Sequence, residues 1–94
     1  MPSLSTSEVD QRLGGHAGWT RNGDELTKQF SFGDFKQAMK FVNAVADAAN
    51  AADHHPDMNI SYNRVTMTLS THSEGGITEK DFALATKIDD AAGT

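Results

Sequence analysis

His54 and His55 stand side by side in front of Pro56, His72 closes an alternating run, and Asp81 follows with eight residues between. Imidazoles titrate near neutral pH, at about 6.5 when unperturbed, so this set can give and take protons. Other uses of the same residues are open. A histidine at a helix exit can bond the last carbonyls and, when protonated, interact with the negative end of the helix dipole. His72 can be an exposed strand-end side chain, because it shares parity with Thr66, Thr68 and Ser70 and opposes Met67 and Leu69. Asp81 is also the acidic residue three places after Thr78, as a capping box requires.

Three histidines and Asp81 would in principle suffice for zinc, but adjacent side chains rarely point the same way. The spacing also matches neither HExxH nor a Cys/His pattern, and no metal is expected. Nucleophilic catalysis has less support, since cysteine is absent and no Ser or Thr sits in an elbow-like context. Trp19, the single tryptophan, reads first as core packing with its N–H satisfied and second as a stacking surface for a flat ligand. His16 lies in a glycine-rich turn, and Gly75-Gly76 is too short for a phosphate loop.

The elements that position these residues follow from periodicity. Ser5 with Glu8, Ser31 with Asp34 and Thr78 with Asp81 each fit a capping box, which predicts three helices. The first ends near Gly14 and Gly15, where glycine can turn left-handed. The second spans about Asp34 to Ala52, with Phe35, Ala38, Met39, Val42, Val45, Ala46 and Ala49 forming one apolar stripe. Pro56 disfavours helical geometry at His55, which places the histidine pair at a helix-to-strand junction.

Between these helices, Asn22-Gly23 reads as a turn, followed by Leu26, Lys28, Phe30 and Phe32 on one parity. After Pro56, Ile60 and Tyr62 share one parity while Val65, Met67 and Leu69 share the other. Asn63-Arg64 is therefore read as the turn of a second hairpin. The order α-ββ-α-ββ-α predicts a single two-layer α+β domain over residues 1–94, a four-stranded antiparallel sheet with its helices on one face.

Size and charge narrow the rest. A 94-residue domain buries only about 60–70% of its unfolded surface, so its stability margin is thin and oligomerisation is a natural supplement. A net charge of −5 with eight scattered basic residues opposes direct nucleic-acid binding. No apolar run approaches the roughly 18 residues of a membrane span, and "MPSLSTSEVD" has neither a basic nor an apolar leader region. A cytoplasmic protein is expected.

Taken together, "HHPDMNISYNRVTMTLSTH", the spacing from His72 to Asp81, and the upstream "GW" and "KQFSFGDFKQAMKFV" closely resemble the pterin-4a-carbinolamine dehydratases from Gly18 to about Ile88. The resemblance implies loss of water from a 4a-hydroxytetrahydropterin to give a quinonoid dihydropterin, with no metal or prosthetic group. It implies a homodimer or homotetramer, and it adds an alternative, since some relatives act as non-catalytic binding or assembly partners. By the same resemblance His54 and His72 are the acid/base candidates, and His55 shapes or polarises the pocket. Pro56 fixes the turn, Asp81 orients a histidine or contacts the pterin, and Trp19 counts among the substrate-orienting residues. Two positions depart from the family pattern: Asn50 stands where an acidic residue is usual, and Met58 replaces an aromatic found in animal relatives.

Overall fold

The computed structural model describes residues 3–93. Its elements are α1 (Thr6–Leu13), β1 (Thr20–Asn22), β2 (Glu25–Ser31), α2 (Phe35–Ala52), β3 (Asp57–Ser61), β4 (Arg64–Leu69), a one-turn 3-10 helix (His72–Glu74) and α3 (Glu79–Ala92). The four strands pair antiparallel in the order β1-β2-β4-β3, so the longest two, β2 and β4, lie in the centre. This is the expected α-ββ-α-ββ-α arrangement.

Alternation decides which face of the sheet is covered. Leu26 pairs with Leu69 and Phe30 with Val65 in register, and these residues are buried together with Met67. They meet Ala38, Phe41, Val45 and Ala49 of α2 and Phe82, Leu84, Ala85 and Ile88 of α3 in one hydrophobic core. The opposite parity, Thr27, Gln29, Thr66, Thr68 and Asn59, is polar and faces away. Period-two alternation therefore separates a wet face from a dry one.

Lys28 shares the inward parity, an odd position for a charge. Its Nζ passes 4.8 Å from the centre of the Phe30 ring and ends 2.8 Å from Asp89 Oδ1 of α3 and 3.1 Å from the Ala17 carbonyl. Asp89 also accepts from Trp19 Nε1 at 3.2 Å. One carboxylate on α3 thus satisfies the two polar groups that the first hairpin carries toward the core, as burial of polar groups demands.

Four local expectations are corrected. Ser31 does not cap α2: it ends β2, and Asp34 is the cap, accepting from Gln37 N–H at 2.8 Å. Gly14 stays right-handed, at φ −59, so α1 stops without a left-handed glycine. The first turn is Gly23-Asp24, because Asn22 pairs with Glu25. The second is Tyr62-Asn63, because Ser61 pairs with Arg64.

Each turn lies one residue from its expected place. In the second, Tyr62 takes a positive φ of 55, a conformation that costs a non-glycine residue roughly 1 kcal/mol. Asn63 offsets that strain by exchanging two bonds with Phe32, which its carbonyl and its amide side chain both contact at 2.8 Å.

The capping boxes of α1 and α3 are present as expected. In α1 the backbone N–H of Ser5, and after it the Ser5 side chain, hold the Glu8 carboxyl below its ordinary value of 4.5. A lowered folded pKa means that the box contributes at pH above the unfolded value and is lost as pH falls through the folded one. Amide-exchange protection of Thr6–Leu13 is therefore expected to hold down to about pH 4.5 and decline below it, and Glu8→Gln is expected to remove that decline.

The one-faced sheet makes a second expectation. Met67→Ala, at a fully buried position, should lower stability by about 2–5 kcal/mol, whereas Thr66→Ala on the other face should stay within about 0.5 kcal/mol. Urea denaturation of both variants checks the contrast.

Candidate active site

The end of α2 is closed by its backbone. Asp53 adopts the left-handed conformation, φ 51 and ψ 42, and its N–H reaches the carbonyls of Ala49 and Asn50. The His54 N–H bonds the Ala49 carbonyl at 3.1 Å, completing a Schellman-type stop. Helix capping thus makes no demand on the imidazoles, and both rings are available for other partners.

They find different ones. His54 Nε2 lies 2.5 Å from Asp81 Oδ1, and His55 Nε2 lies 2.9 Å from Asn50 Oδ1. A carboxylate only accepts, so this contact calls for a proton on Nε2, and a neutral His54 ring then carries its lone pair on Nδ1. The same logic makes His55 Nε2 the donor to the Asn50 amide oxygen.

Asp81 has no exposed surface, and each of its oxygens is occupied. Oδ1 takes His54, while Oδ2 accepts from the Thr71 hydroxyl and the Thr78 N–H, both at 2.9 Å. The hydroxyls of Thr71 and Thr78 are themselves 2.8 Å apart. A buried carboxylate is tolerable when charge-assisted donors surround it and when it lies on a helix N-terminus, and Asp81, in the first turn of α3, meets both conditions.

The remaining histidine arrives from the sheet. Thr71 pairs with Gly76 in an isolated bridge, which draws the intervening residues into the 3-10 turn that begins at His72. Gly75 closes this turn with a φ of 73, the left-handed region where a side chain is strained. His72 is exposed here, in a 3-10 turn just beyond the strand and not in the strand itself.

An open cavity of about 320 Å³ brings these residues together: His54, His55 and His72 line it, with Asp53, Ser70, Thr71, Ser73 and Lys80. A larger hollow of about 450 Å³ adjoins it at Ser70 and His72, but its other walls are Asn22, Asp24, Glu25 and Gly75. The smaller cavity holds the three proton carriers and is the better candidate for chemistry.

Of the residues singled out in the sequence, Asp81 lies directly behind His54, and Pro56 follows the pair at half-buried depth. Trp19 lies elsewhere: it is buried against Phe30, its N–H on Asp89, with no part in this cavity. Thr71 and Lys80 were not foreseen. Thr71 had a signal in its place next to His72, while Lys80 had none beyond its position in the first turn of α3.

The sequence profile of the pterin 4 alpha carbinolamine dehydratases matches residues 2–91. The chain belongs to that family. A provisionally named pterin-4-alpha-carbinolamine dehydratase of Roseiflexus sp. (strain RS-1) is 51% identical over 87 residues, covering 93% of this chain and 94% of that protein. One of Metallosphaera sedula is 47% identical over 90 residues, 96% and 94% of the two chains.

Among solved structures, a transcriptional coactivator/pterin dehydratase from Brucella melitensis superposes with a TM-score of 0.93 at 40% identity, covering 97% of this chain and 99% of that one. A pterin dehydratase-like protein identified as a RuBisCO assembly factor in the alpha-carboxysome superposes at 0.72 with 30% identity, covering 84% and 94%. The family therefore includes members described by quite different roles.

The Asp81 network carries its own test. Asp81→Asn removes the charge and turns one acceptor into a donor. It should cost about 1–3 kcal/mol in stability and shift the His54 ring away from the Nε2–H tautomer. Nitrogen-15 NMR of the imidazoles reads the tautomer directly.

Proposed function

We propose that this protein removes water from a 4a-hydroxytetrahydropterin to give a quinonoid dihydropterin, by histidine acid/base catalysis and in the service of pterin recycling. Family membership supports pterin carbinolamine dehydration in general. The observation that carries the finer reading is the convergence of His54, His55 and His72 on one cavity, with the buried Asp81 carboxylate behind His54.

The reaction needs two proton movements. The C4a–O bond breaks as the leaving hydroxyl takes a proton and departs as water, while the neighbouring N5 loses its proton and forms the C4a=N5 double bond. In this reading His54 is the base at N5. Its Nδ1 accepts the proton, and Asp81 Oδ1, 2.5 Å from Nε2, gives the charge that builds on the ring a buried counter-charge. His72, on its exposed turn, is the acid that protonates the leaving oxygen. His55, tethered to Asn50, shapes the wall between them.

The chemistry in this reading is carried by the pterin and the imidazoles, without metal or prosthetic group. Thr71 and Thr78 act as positioning residues, because their hydroxyl and N–H hold the carboxylate that holds His54. The same reading includes a cytoplasmic homodimer or homotetramer. Among the described residues no helix is long and apolar enough to cross a membrane.

A non-catalytic assembly role is the second reading. It is favoured by the resemblance to a structure identified as a RuBisCO assembly factor and by Asn50, an amide that cannot exchange a proton beside His55. The two readings part in one assay. On the catalytic reading purified protein accelerates loss of a 4a-hydroxytetrahydropterin, and His54→Gln, whose amide can still donate to Asp81, and His72→Ala each lose about 10²–10⁴ of the rate while remaining folded by circular dichroism. Wild-type protein without acceleration would leave the assembly reading in its place.

A further inference from the structure

His54 faces two cavities. Beyond the open one, a second of about 160 Å³ is lined by Ala52, His54, Lys80, Ala83, Leu84 and Lys87. Lys80, Ala83, Leu84 and Lys87 are spaced at i, i+3, i+4 and i+7 and so form one face of α3. Ala52, the last residue of α2, closes the opposite side. Ala83 and Leu84 make the middle of this wall hydrocarbon, and a lysine stands at each end of it. His54 and Lys80 belong to both cavities, so the two are continuous across the proposed catalytic residue.

Three observations restrict what can enter. The first is size, since a cavity of about 150 Å³ lined by apolar side chains admits one benzene ring. The second is charge: Lys80 and Lys87 form no ion pair among the described residues, in a chain whose net charge is −5. The opposite flank of the site, past His72, is walled by Asp24 and Glu25 and repels an anion. Asp53 lines the open cavity but not the second one. The third is the connectivity of the pterin, in which C6 is bonded to N5. If His54 acts at N5, the first atom of a C6 substituent is two bonds from the atom beside His54, within reach of the second cavity that His54 also lines.

We propose that the preferred substrate is a reduced pterin whose 6-substituent carries one six-membered aromatic ring followed by a carboxylate. The ring lies against Ala52, Ala83 and Leu84, and the carboxylate beyond it meets Lys87. This rests on the dehydratase reading for the placement of N5, and it adds the substrate class to it. Lys87 is then a specificity-determining residue that takes no part in the proton transfers.

The test compares three 4a-hydroxytetrahydropterins generated in situ, with a 6-methyl group, an aryl-carboxylate 6-substituent, and the matching uncharged aryl amide. The aryl carboxylate is expected to show a KM about three- to fivefold below that of the amide, the size of a solvent-accessible charge contact, with kcat unchanged. The amide in turn should lie below the 6-methyl compound, and Ala83→Met, which occupies the ring's place, should abolish that second difference. Lys87→Gln should raise KM for the carboxylate alone, leaving the 6-methyl reaction as it was.

Equal KM values for carboxylate and amide, or a Lys87→Gln effect of the same size on all three, would overturn the proposal. Should wild-type protein fail to dehydrate even the 6-methyl compound, the dehydratase reading falls by itself. Calorimetric titration with the three corresponding stable 7,8-dihydropterins then decides the inference separately: tighter binding of the carboxylate that Lys87→Gln removes supports it, and equal binding overturns it.

Discussion

The buried carboxylate of Asp81 is the constraint on which the site depends. It has no contact with water, so each of its lone pairs must be met by protein, and the groups that meet it come from three parts of the chain. His54 comes from the exit of α2, Thr71 from the end of the central strand, and Thr78 from the start of α3. An uncompensated charge in that position would be strongly destabilising, which locks the three segments to one another. The same bonds that hold the fold at this corner therefore hold the His54 ring by its Nε2. A single side chain therefore completes the capping box of α3 and holds His54 at the same time.

The opposite end of α3 repeats the logic with a different purpose. Asp89 receives the Lys28 ammonium and the Trp19 N–H, so the first hairpin is tied to the helix by polar bonds laid across an apolar core. Asp89 lines none of the cavities described above, and the arrangement is one of packing. Two acidic residues on one helix thus divide the work. The one at the N-terminus gains from the helix dipole and organises the site, while the one near the C-terminus anchors the sheet.

Much of the fold was legible because its signals are local. Alternation along β2 and β4 specified which face is buried, the apolar stripe of α2 specified its length, and two capping boxes marked helix starts that the structure retains. The local errors share a cause. Asn22-Gly23 and Asn63-Arg64 each contain a turn-forming residue, but strand pairing slides the two-residue turn by one position, to Gly23-Asp24 and Tyr62-Asn63. The second of these sets Tyr62 left-handed, a choice local preference opposes and the bonds between Asn63 and Phe32 enforce. Ser31 with Asp34 failed as a box because β2 runs through Ser31, and a residue committed to a strand ladder cannot also cap a helix.

What the sequence by itself determined was the inventory: the three histidines, Asp81 at its capping position, the proline that ends helical geometry, and a spacing specific enough to resemble one family. It could not say which histidine meets Asp81, because His54 and His55 are adjacent and differ only in which way the chain turns after α2. The tertiary structure decided that. The left-handed Asp53 caps the helix with backbone N–H groups, aims His54 at α3 and leaves His55 to Asn50. It also decided that Trp19 belongs to the core and that Lys80 borders the site. These are contacts between residues far apart in the chain, and only the packing of α3 against the end of α2 brings them within reach.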